Sequence, residues 1–204
     1  MQRLTVSILT AAALWFVMFS PWTSPALNFW YSMTFSAVVL ISISFKHLPK
    51  VSLSLQSFAL EVVWGVLIAF SLWWMFWVGD KMSSWMFDFA RLQVDSIYGM
   101  KEGTNGGLIA LLLLFVIGPA EELFWRGYVQ RELSERYGGN IGFLLCTAVY
   151  TLIHVSSCNF MLVMSALVCG LAWGGLYRLY PRHFLAIVIS HALWDAAAFV
   201  WFPI

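Results

Sequence analysis

Long runs of apolar residues recur seven times along this 204-residue chain. Each run is close to the roughly 20 residues that an α-helix needs to cross a hydrocarbon core about 30 Å thick. The composition agrees, since 61% of the residues are hydrophobic and 10% are charged, whereas soluble domains average about 25% charged residues. The sequence therefore predicts an all-α fold, a polytopic membrane helical bundle with about seven transmembrane helices, at residues 4–19, 27–45, 58–78, 108–130, 141–155, 160–177 and 184–202.

The apolar runs use most of the chain, which predicts a single integral membrane domain over residues 1–204. Within it, residues 1–106 hold the N-terminal spans, and residues 107–202 hold the helices that carry the polar motifs described below. We expect the first run to be a retained span, and a secretory signal with a poor cleavage site is the alternative. Glu61, near the start of the third run, is expected to be an interfacial or snorkelling charge.

The positive charges indicate an orientation in the membrane. One set of alternating loops holds most of the lysines and arginines, whereas the opposite loops hold only Lys81, Arg91 and Lys101. By the positive-inside rule the N-terminus is cytoplasmic and the C-terminus lies outside, in the plasma membrane if the chain is bacterial. The residues behind this prediction are Arg3, Lys46, Lys50, Arg131, Arg136, Arg178 and Arg182.

Residues 79–107 differ in character from the apolar runs. Charged residues alternate there with apolar residues that recur at helical spacing, a pattern typical of an amphipathic helix lying at the membrane interface. An ordinary solvated connection and a lid or substrate-docking element remain open as alternatives. A shorter alternating segment, residues 51–56, is also expected to lie at the interface.

Three ionisable residues, Glu121, Glu122 and Arg126, follow a ten-residue stretch, 108–117, that carries no charge. A charged side chain at the bilayer centre costs roughly 2.5–3.5 kcal/mol on insertion scales, so such groups usually face a protein interior and mark function. On a helix, Glu122 and Arg126 are four residues apart and can pair, while Glu121 points about 100° away. One glutamate therefore remains available for chemistry.

Further polar residues lie inside the fifth and seventh runs. The fifth contains Tyr150 and His154, and the seventh contains His191 and Asp195, which are four residues apart and so share a helix face. A lone histidine in a membrane helix is more often structural than catalytic. Several such groups on neighbouring helices favour function, because each would otherwise cost stability without compensation.

Hydrolysis is one chemistry that fits these residues. Glu121 is a candidate general base, His154 can help to hold the attacking water, and His191 with Asp195 can support the oxyanion or the leaving group. The alternatives are a zinc site, although the HExxH helix signature is absent, haem held by His154 and His191, and a proton-coupled transporter that uses Glu121 or Asp195. Nucleic acid is not an expected partner, because the net charge is +1 and no basic stripe is present.

The remaining side-chain patterns suggest packing roles. Twelve tryptophans and seven tyrosines suit interfacial belts. The three cysteines lie within or beside apolar runs and show no CxxC spacing, so we interpret them as packing residues. They are Cys146, Cys158 and Cys169.

Glu121-Glu122-x-x-x-Arg126, Tyr150-x-x-x-His154 and His191-x-x-x-Asp195 resemble the three motifs of the CAAX protease and bacteriocin-processing (CPBP) family of intramembrane proteases. The resemblance covers roughly residues 108–199. It implies peptide-bond hydrolysis in the membrane, with the first glutamate activating water, the histidines assisting, and no required cofactor, zinc being the alternative. The implied partners are the lipid bilayer and a membrane-anchored protein or peptide substrate.

Two positions depart from that family's pattern. Tyr150 stands where phenylalanine is usual, and its hydroxyl can add a hydrogen bond. Asp195 stands where asparagine is frequent, and it brings a possible charge. The family resemblance does not specify the substrate, since members process prenylated CAAX tails, bacteriocin-type peptides or C-terminal sorting tags. A non-enzymatic binding or immunity role is a further alternative.

The depths of the polar residues along their spans do not match. At about 1.5 Å per residue, His154 lies near the end of its span, whereas Glu121 lies near the middle of its own. We therefore predict that at least one helix is tilted, shifted or broken. Gly118-Pro119 is the expected place, because proline removes a backbone hydrogen bond.

Overall fold

The computed structural model describes residues 2–47 and 54–204. All regular secondary structure in these residues is helical, and seven of the helical segments are long and apolar enough to cross a membrane. The prediction of an all-α, multi-pass membrane bundle is confirmed. The helices are α1 (Gln2–Phe19), α2 (Phe29–Ser44), α3 (Leu55–Met86), α4 (Ala90–Gly99), α5 (Gly106–Tyr137), α6 (Gly139–Ile153), α7 (Phe160–Leu179) and α8 (Phe184–Ala196).

Short polar side chains define where several helices begin. Asn28, Ser54, Asn105 and Asn159 each precede a helix, and each side chain accepts a hydrogen bond from a backbone N–H in the first turn. Such caps satisfy N–H groups that have no partner within the helix. The starts of α2, α3, α5 and α7 are therefore encoded locally.

The third span is longer than predicted. We expected it to end at Val78, but α3 continues to Met86 and contains Asp80. The carboxylate of Asp80 is buried and accepts from Arg91 and Lys81, so this charge does not end the helix. Residues 79–107 are consequently not one amphipathic helix, because they comprise the end of α3, a turn, α4, a second turn and the start of α5.

Helix α5 is irregular on both sides of the glutamates. A π-helical turn, Leu113–Ile117, precedes Gly118, and a second, Trp125–Gln130, follows Phe124. The N–H of Gly118 donates to the carbonyl of Leu113, five residues back. The predicted irregularity at Gly118-Pro119 is thus a widened turn directly before the proline, which has no N–H to donate. The second π turn was not anticipated.

The chain forms two compact units. The first consists of Met1–Lys50 and Ala120–Arg182, and it holds α1, α2, the later part of α5, α6 and α7. Its interior contains large, fully buried side chains, including those of three tryptophans. These three tryptophans therefore do not belong to the interfacial belts that we expected. The largest of its fully buried apolar side chains are Trp15, Leu40, Phe124, Trp125 and Trp173.

The second unit consists of Val51–Pro119 and His183–Ile204, and it holds α3, α4, the start of α5 and α8. Small and branched residues fill its interior, including Ala69, Leu72 and Ile187. Other faces of α3 expose large apolar side chains, which suits contact with lipid. The predicted interfacial segment 51–56 and the positively charged Lys50 lie largely outside the described residues, and the division at 106/107 stays a prediction.

Candidate active site

Glu122 and Arg126 form a buried ion pair. Glu122 is fully buried and Arg126 is 1% exposed, and Nη1 of Arg126 donates to Oε1 of Glu122 at 2.9 Å. The guanidinium also donates from Nη2 to the carbonyl of Cys169 in α7, at 3.3 Å, and lies over the ring of Tyr150. The i,i+4 pairing predicted from the sequence is present. Either charge alone would be costly to bury, so each residue of the pair compensates the charge of the other inside the bundle.

Glu121 has a different environment from that of its neighbour. Its carboxylate is 7% exposed, and Oε2 accepts a hydrogen bond from the hydroxyl of Tyr150 at 3.1 Å. Tyr150 lies one turn before the end of α6. The hydroxyl that distinguishes this chain from the usual phenylalanine therefore contacts the candidate base and holds one of its oxygens in place.

His154 has hydrogen-bond partners at both ring nitrogens. It begins the 3-10 turn that follows α6 and is 5% exposed. Its Nδ1 lies 2.7 Å from the carbonyl oxygen of Tyr150, and its Nε2 accepts from the indole N–H of Trp15 at 3.0 Å. Because a carbonyl can only accept, the ring hydrogen lies on Nδ1 and the imidazole is neutral. A water could donate to Nε2 only by replacing the hydrogen bond from the indole of Trp15.

Trp15, in α1, is a residue of this site that was not predicted from the sequence. It is 1% exposed, and its indole packs edge-on against Trp125, with ring centroids 6.5 Å apart. A buried indole usually finds a hydrogen-bond acceptor. The available signal was a tryptophan well inside an apolar run rather than at its end, but nothing in the sequence connects it with His154.

Polar contacts between helices surround this part of the first unit. Gln130 of α5 donates to the carbonyl of Gly174 at 2.8 Å, and Thr147 of α6 donates to the carbonyl of Gly170 at 3.2 Å. Both acceptors lie in α7, as does the Cys169 carbonyl that Arg126 contacts. These bonds fix the spacing of α5, α6 and α7 and so support the geometry around Glu121.

The prediction that all three cysteines are packing residues is correct for two of them. Cys146 and Cys169 are buried, and the thiol of Cys146 donates to the carbonyl of Trp125 at 3.3 Å. Cys158 is exposed and lies in the turn between α6 and α7, with a positive φ of 52°. The prediction of a packing role is therefore wrong for Cys158.

In the second unit, His191 and Asp195 form the i,i+4 pair predicted from their spacing. Nε2 of His191 lies 3.5 Å from Oδ2 of Asp195, and their side chains are 4% and 13% exposed. Both belong to α8, which packs along α3 within this unit. The aspartate is thus placed to orient the imidazole, as a carboxylate does for many functional histidines.

The expectation for Glu61 was wrong. Instead of reaching for the membrane surface, its carboxylate is 6% exposed and binds the start of α8. One oxygen lies 2.7 Å from Nδ1 of His183, and the other accepts from the backbone N–H of Ala186 at 2.9 Å. These partners could not be predicted from the sequence, because they lie more than a hundred residues away along the chain.

The donor atoms in each unit do not form a ready metal site. Among the described residues of either unit, no group of three or more histidine, cysteine, aspartate or glutamate side chains is arranged to hold an ion. Both nitrogens of His154 are engaged, and Glu122 is bonded to Arg126. Zinc or haem ligation by His154 would first require release of Trp15 or of the Tyr150 carbonyl.

Comparison with known proteins adds one finding. Residues 104–197 match the family model described as type II CAAX prenyl endopeptidase Rce1-like. This range coincides closely with the 108–199 segment that carries the three motifs. The curated proteins and the solved structures give no match. The matched segment contains every candidate catalytic residue and is similar to that family, and this similarity indicates a hydrolase, an intramembrane peptidase.

Proposed function

We propose that the chain is an endopeptidase that cleaves a peptide bond near the membrane in a membrane-anchored or C-terminally tagged substrate. Glu121 removes a proton from water, and the water oxygen attacks the peptide carbonyl carbon. The proton then passes to the leaving nitrogen as the carbon–nitrogen bond breaks. His154 and His191 assist, with Asp195 orienting His191, and Glu122, Arg126 and Tyr150 support the arrangement.

The observation that carries this proposal is the difference between two adjacent carboxylates. Glu122 is committed to the permanent charge of Arg126 at 2.9 Å, whereas the contact of Glu121 with Tyr150 is to a neutral hydroxyl. A carboxylate that accepts from a neutral hydroxyl can still take up a proton. A carboxylate that is paired with a buried guanidinium is a poor base, because protonation would leave the guanidinium without its counter-charge.

The histidines have distinct parts in the proposal. His154 holds the water through Nε2 when the indole of Trp15 gives up that position, because one nitrogen lone pair accepts one strong hydrogen bond. His191, held by Asp195, stabilises the charge that develops on the carbonyl oxygen or the leaving group. Oxyanion donors of this kind are worth roughly 10²–10³ in kcat.

The preferred substrate is an apolar C-terminal anchor that enters sideways between helices. The large apolar side chains exposed along α3 and the length of the spans suit a protein that meets its substrate within the bilayer. We further propose that the N-terminus is cytoplasmic and the C-terminus outside, from the distribution of lysine and arginine among the loops.

The decisive experiment compares Glu121→Gln with Glu122→Gln. The purified variants are incubated with a library of membrane-anchored peptides, and mass spectrometry detects any new terminus. Glutamine at 121 still accepts the Tyr150 hydroxyl, so Glu121→Gln should fold normally yet lose turnover by about 10²-fold or more. Glu122→Gln should chiefly lower the yield of folded protein, because it leaves Arg126 without its counter-charge.

Two outcomes would overturn the proposal. Wild-type turnover in Glu121→Gln would show that Glu121 is not the base. A wild-type protein that leaves every peptide intact, while moving protons across vesicle membranes, would favour the transporter.

Metal dependence has its own test. We propose a metal-free mechanism, because Arg126 competes with a divalent cation for Glu122 and both nitrogens of His154 have partners. Turnover should survive prolonged incubation with strong chelators, and elemental analysis should find well under one zinc per chain. Loss of turnover on chelation, restored by stoichiometric zinc, would make His154 and His191 metal ligands instead.

A further inference from the structure

Helix α8, which carries His191 and Asp195, packs along one stripe of α3. The residues of that stripe recur every three or four positions, so they share one face of the helix. Gly65 faces Ile189 of α8, and farther along the rings of Phe76 and Trp194 lie 4.6 Å apart. The stripe consists of Glu61, Gly65, Ala69, Leu72 and Phe76.

Glu61 binds the first turn of α8. His183 precedes that helix and its side chain makes no cap hydrogen bond, so the N–H groups of the first turn depend on other partners. The Glu61 carboxylate supplies one, accepting from the N–H of Ala186 at 2.9 Å while its other oxygen lies 2.7 Å from Nδ1 of His183. A carboxylate at a helix N-terminus is also favoured by the helix dipole.

Gly65 lets the two helices approach closely at the next turn. A Cβ at this position would lie 2.6 Å from Cγ2 of Ile189 and 3.2 Å from the carbonyl oxygen of Ala186. Glu61 and Gly65 therefore contact α8 at successive turns of α3. The hydrogen bonds fix the height of α8, and the close contact fixes which of its sides meets α3.

The rotation of α8 determines the direction of its polar pair. At about 100° per residue, His191 lies roughly 200° and Asp195 roughly 240° around the helix from Ile189. Both side chains therefore leave α8 on the side turned away from α3. A slip of α8 by one residue would swing them by about 100°, which no side-chain rotation of His191 could restore.

We propose that Glu61 is a positioning residue for the peptidase reaction, clamping the first turn of α8 and so setting the height and direction of His191 and Asp195. This inference rests on the proposed function, in which His191 assists peptide hydrolysis. The reach of the side chain matters more than its charge, because one oxygen accepts from the N–H of Ala186 and the other lies at hydrogen-bond distance from Nδ1 of His183, an imidazole nitrogen that donates or accepts according to its tautomer. No motif signals this role, and Glu61 lies outside the segment matched by the family model.

Two conservative variants separate reach from charge. Glu61→Gln keeps the reach and one acceptor but loses the charge, whereas Glu61→Asp keeps the charge and is one methylene shorter. We expect Glu61→Asp to lower kcat by about tenfold with little change in KM, because small misplacements of catalytic groups cost rate. Glu61→Gln should stay within about threefold of wild type, since one neutral hydrogen bond replaces a charge-assisted one. Turnover is measured per folded molecule, on a peptide cleaved in the library experiment.

Asp80→Asn is the matched control. Asp80 lies on the same helix, is similarly buried, and bonds to Arg91 and Lys81 rather than to α8. This variant should lose some stability while keeping kcat per folded molecule. An equal fall of kcat in Asp80→Asn and Glu61→Asp would show general loosening of α3 and would overturn the positioning role.

A readout that does not need a substrate completes the test. The chain has four histidines, so the imidazole ¹⁵N resonances can be assigned with single variants. The His191 resonances should move in Glu61→Asp and stay in place in Asp80→Asn. Wild-type kcat and unmoved His191 resonances in Glu61→Asp, or a larger loss in Glu61→Gln than in Glu61→Asp, would overturn the inference. If Glu121→Gln kept its turnover, the proposed function would be wrong instead. The His191 resonances would then still show whether Glu61 positions α8.

Discussion

The two compact units bury acidic groups in different ways. In the first, Glu121 and Glu122 are neighbours, and their contacts extend to α6 and α7 within two turns of α5. In the second, Glu61 and Asp80 lie at opposite ends of α3, and each secures a neighbouring helix. All four carboxylates are less than a tenth exposed. Burial alone therefore does not mark a catalytic carboxylate, and the proposal that Glu121 is the base rests on its contact with the Tyr150 hydroxyl and on its place in the first motif.

The largest effect should come from breaking the ion pair of the first unit. Arg126→Met leaves the fully buried Glu122 without a counter-charge, which should lower the free energy of unfolding by about 3–5 kcal/mol. The double variant Glu122→Met/Arg126→Met removes both charges and should recover most of that loss. Denaturant titration in mild detergent measures both. A double variant as unstable as Arg126→Met would show that hydrogen bonding to Cys169, and not charge pairing, dominates.

In the second unit, the effect of an added methyl group should depend on how closely the helices pack at that position. A Cβ at Gly118 would lie 2.7 Å from Cα of Ala192, so Gly118→Ala should destabilise the protein by about 1–3 kcal/mol. Gly79, in α3, has nothing within 4 Å of the corresponding position. Gly79→Ala should therefore stabilise by roughly 0.5–1 kcal/mol, because alanine favours helix. Thermal unfolding of the two variants should shift in opposite directions, and shifts of the same sign would contradict this packing.

A smaller effect should follow from the indole contact of His154. Trp15→Phe and Trp125→Phe remove similar volumes from adjacent buried positions, but only Trp15 donates to His154. Within the described residues, the indole N–H of Trp125 has no hydrogen-bond partner. Trp15→Phe should therefore be about 1 kcal/mol less stable than Trp125→Phe. The ¹⁵N resonance of His154 Nε2 should also shift in Trp15→Phe alone, and equal shifts in both variants would contradict a specific bond.

The smallest effect lies outside the spans, at Tyr98 in α4. Burial raises the pKa of its phenol above the ordinary value of about 10, although a hydrogen bond from the N–H of Ile204 partly opposes this. The neutral phenol therefore adds stability that is fully present below about pH 10 and is lost as the pH rises through the raised pKa. The difference between the ultraviolet pH titrations of wild type and Tyr98→Phe gives the pKa of the Tyr98 phenol. Titration of Tyr98 at or below its ordinary value would be inconsistent with its burial.

Local patterns made the helices and two of the site contacts predictable. Apolar runs of sufficient length indicate spans, and i,i+4 spacing indicated both Glu122 with Arg126 and His191 with Asp195, because helix geometry alone brings such residues together. The end of α3 was misjudged for a related reason. Asp80 looked like the limit of an apolar run, but its partners lie one residue and eleven residues further along the chain.

The remaining contacts join residues that are far apart in the sequence. Trp15 and His154 are 139 residues apart, and Glu61 and His183 are 122 apart. No hydrophobic period encodes such pairs, since they depend on which helices become neighbours. Tyr150 is an intermediate case. Its hydroxyl could be singled out as an available donor, but its bond to Glu121 requires α5 and α6 to pack in one register.

The π turn at Leu113–Ile117 makes the residue count of α5 as important as its chemistry. Such a turn absorbs one residue more than an α-helical turn without changing the direction of the helix that follows. Deleting one residue within 113–117 should therefore restore regular helix and leave the directions of Glu121, Glu122 and Arg126 almost unchanged. The regular segment Gly106–Leu112 has no widened turn to close, so a deletion there would rotate the residues on its two sides relative to each other by about 100°.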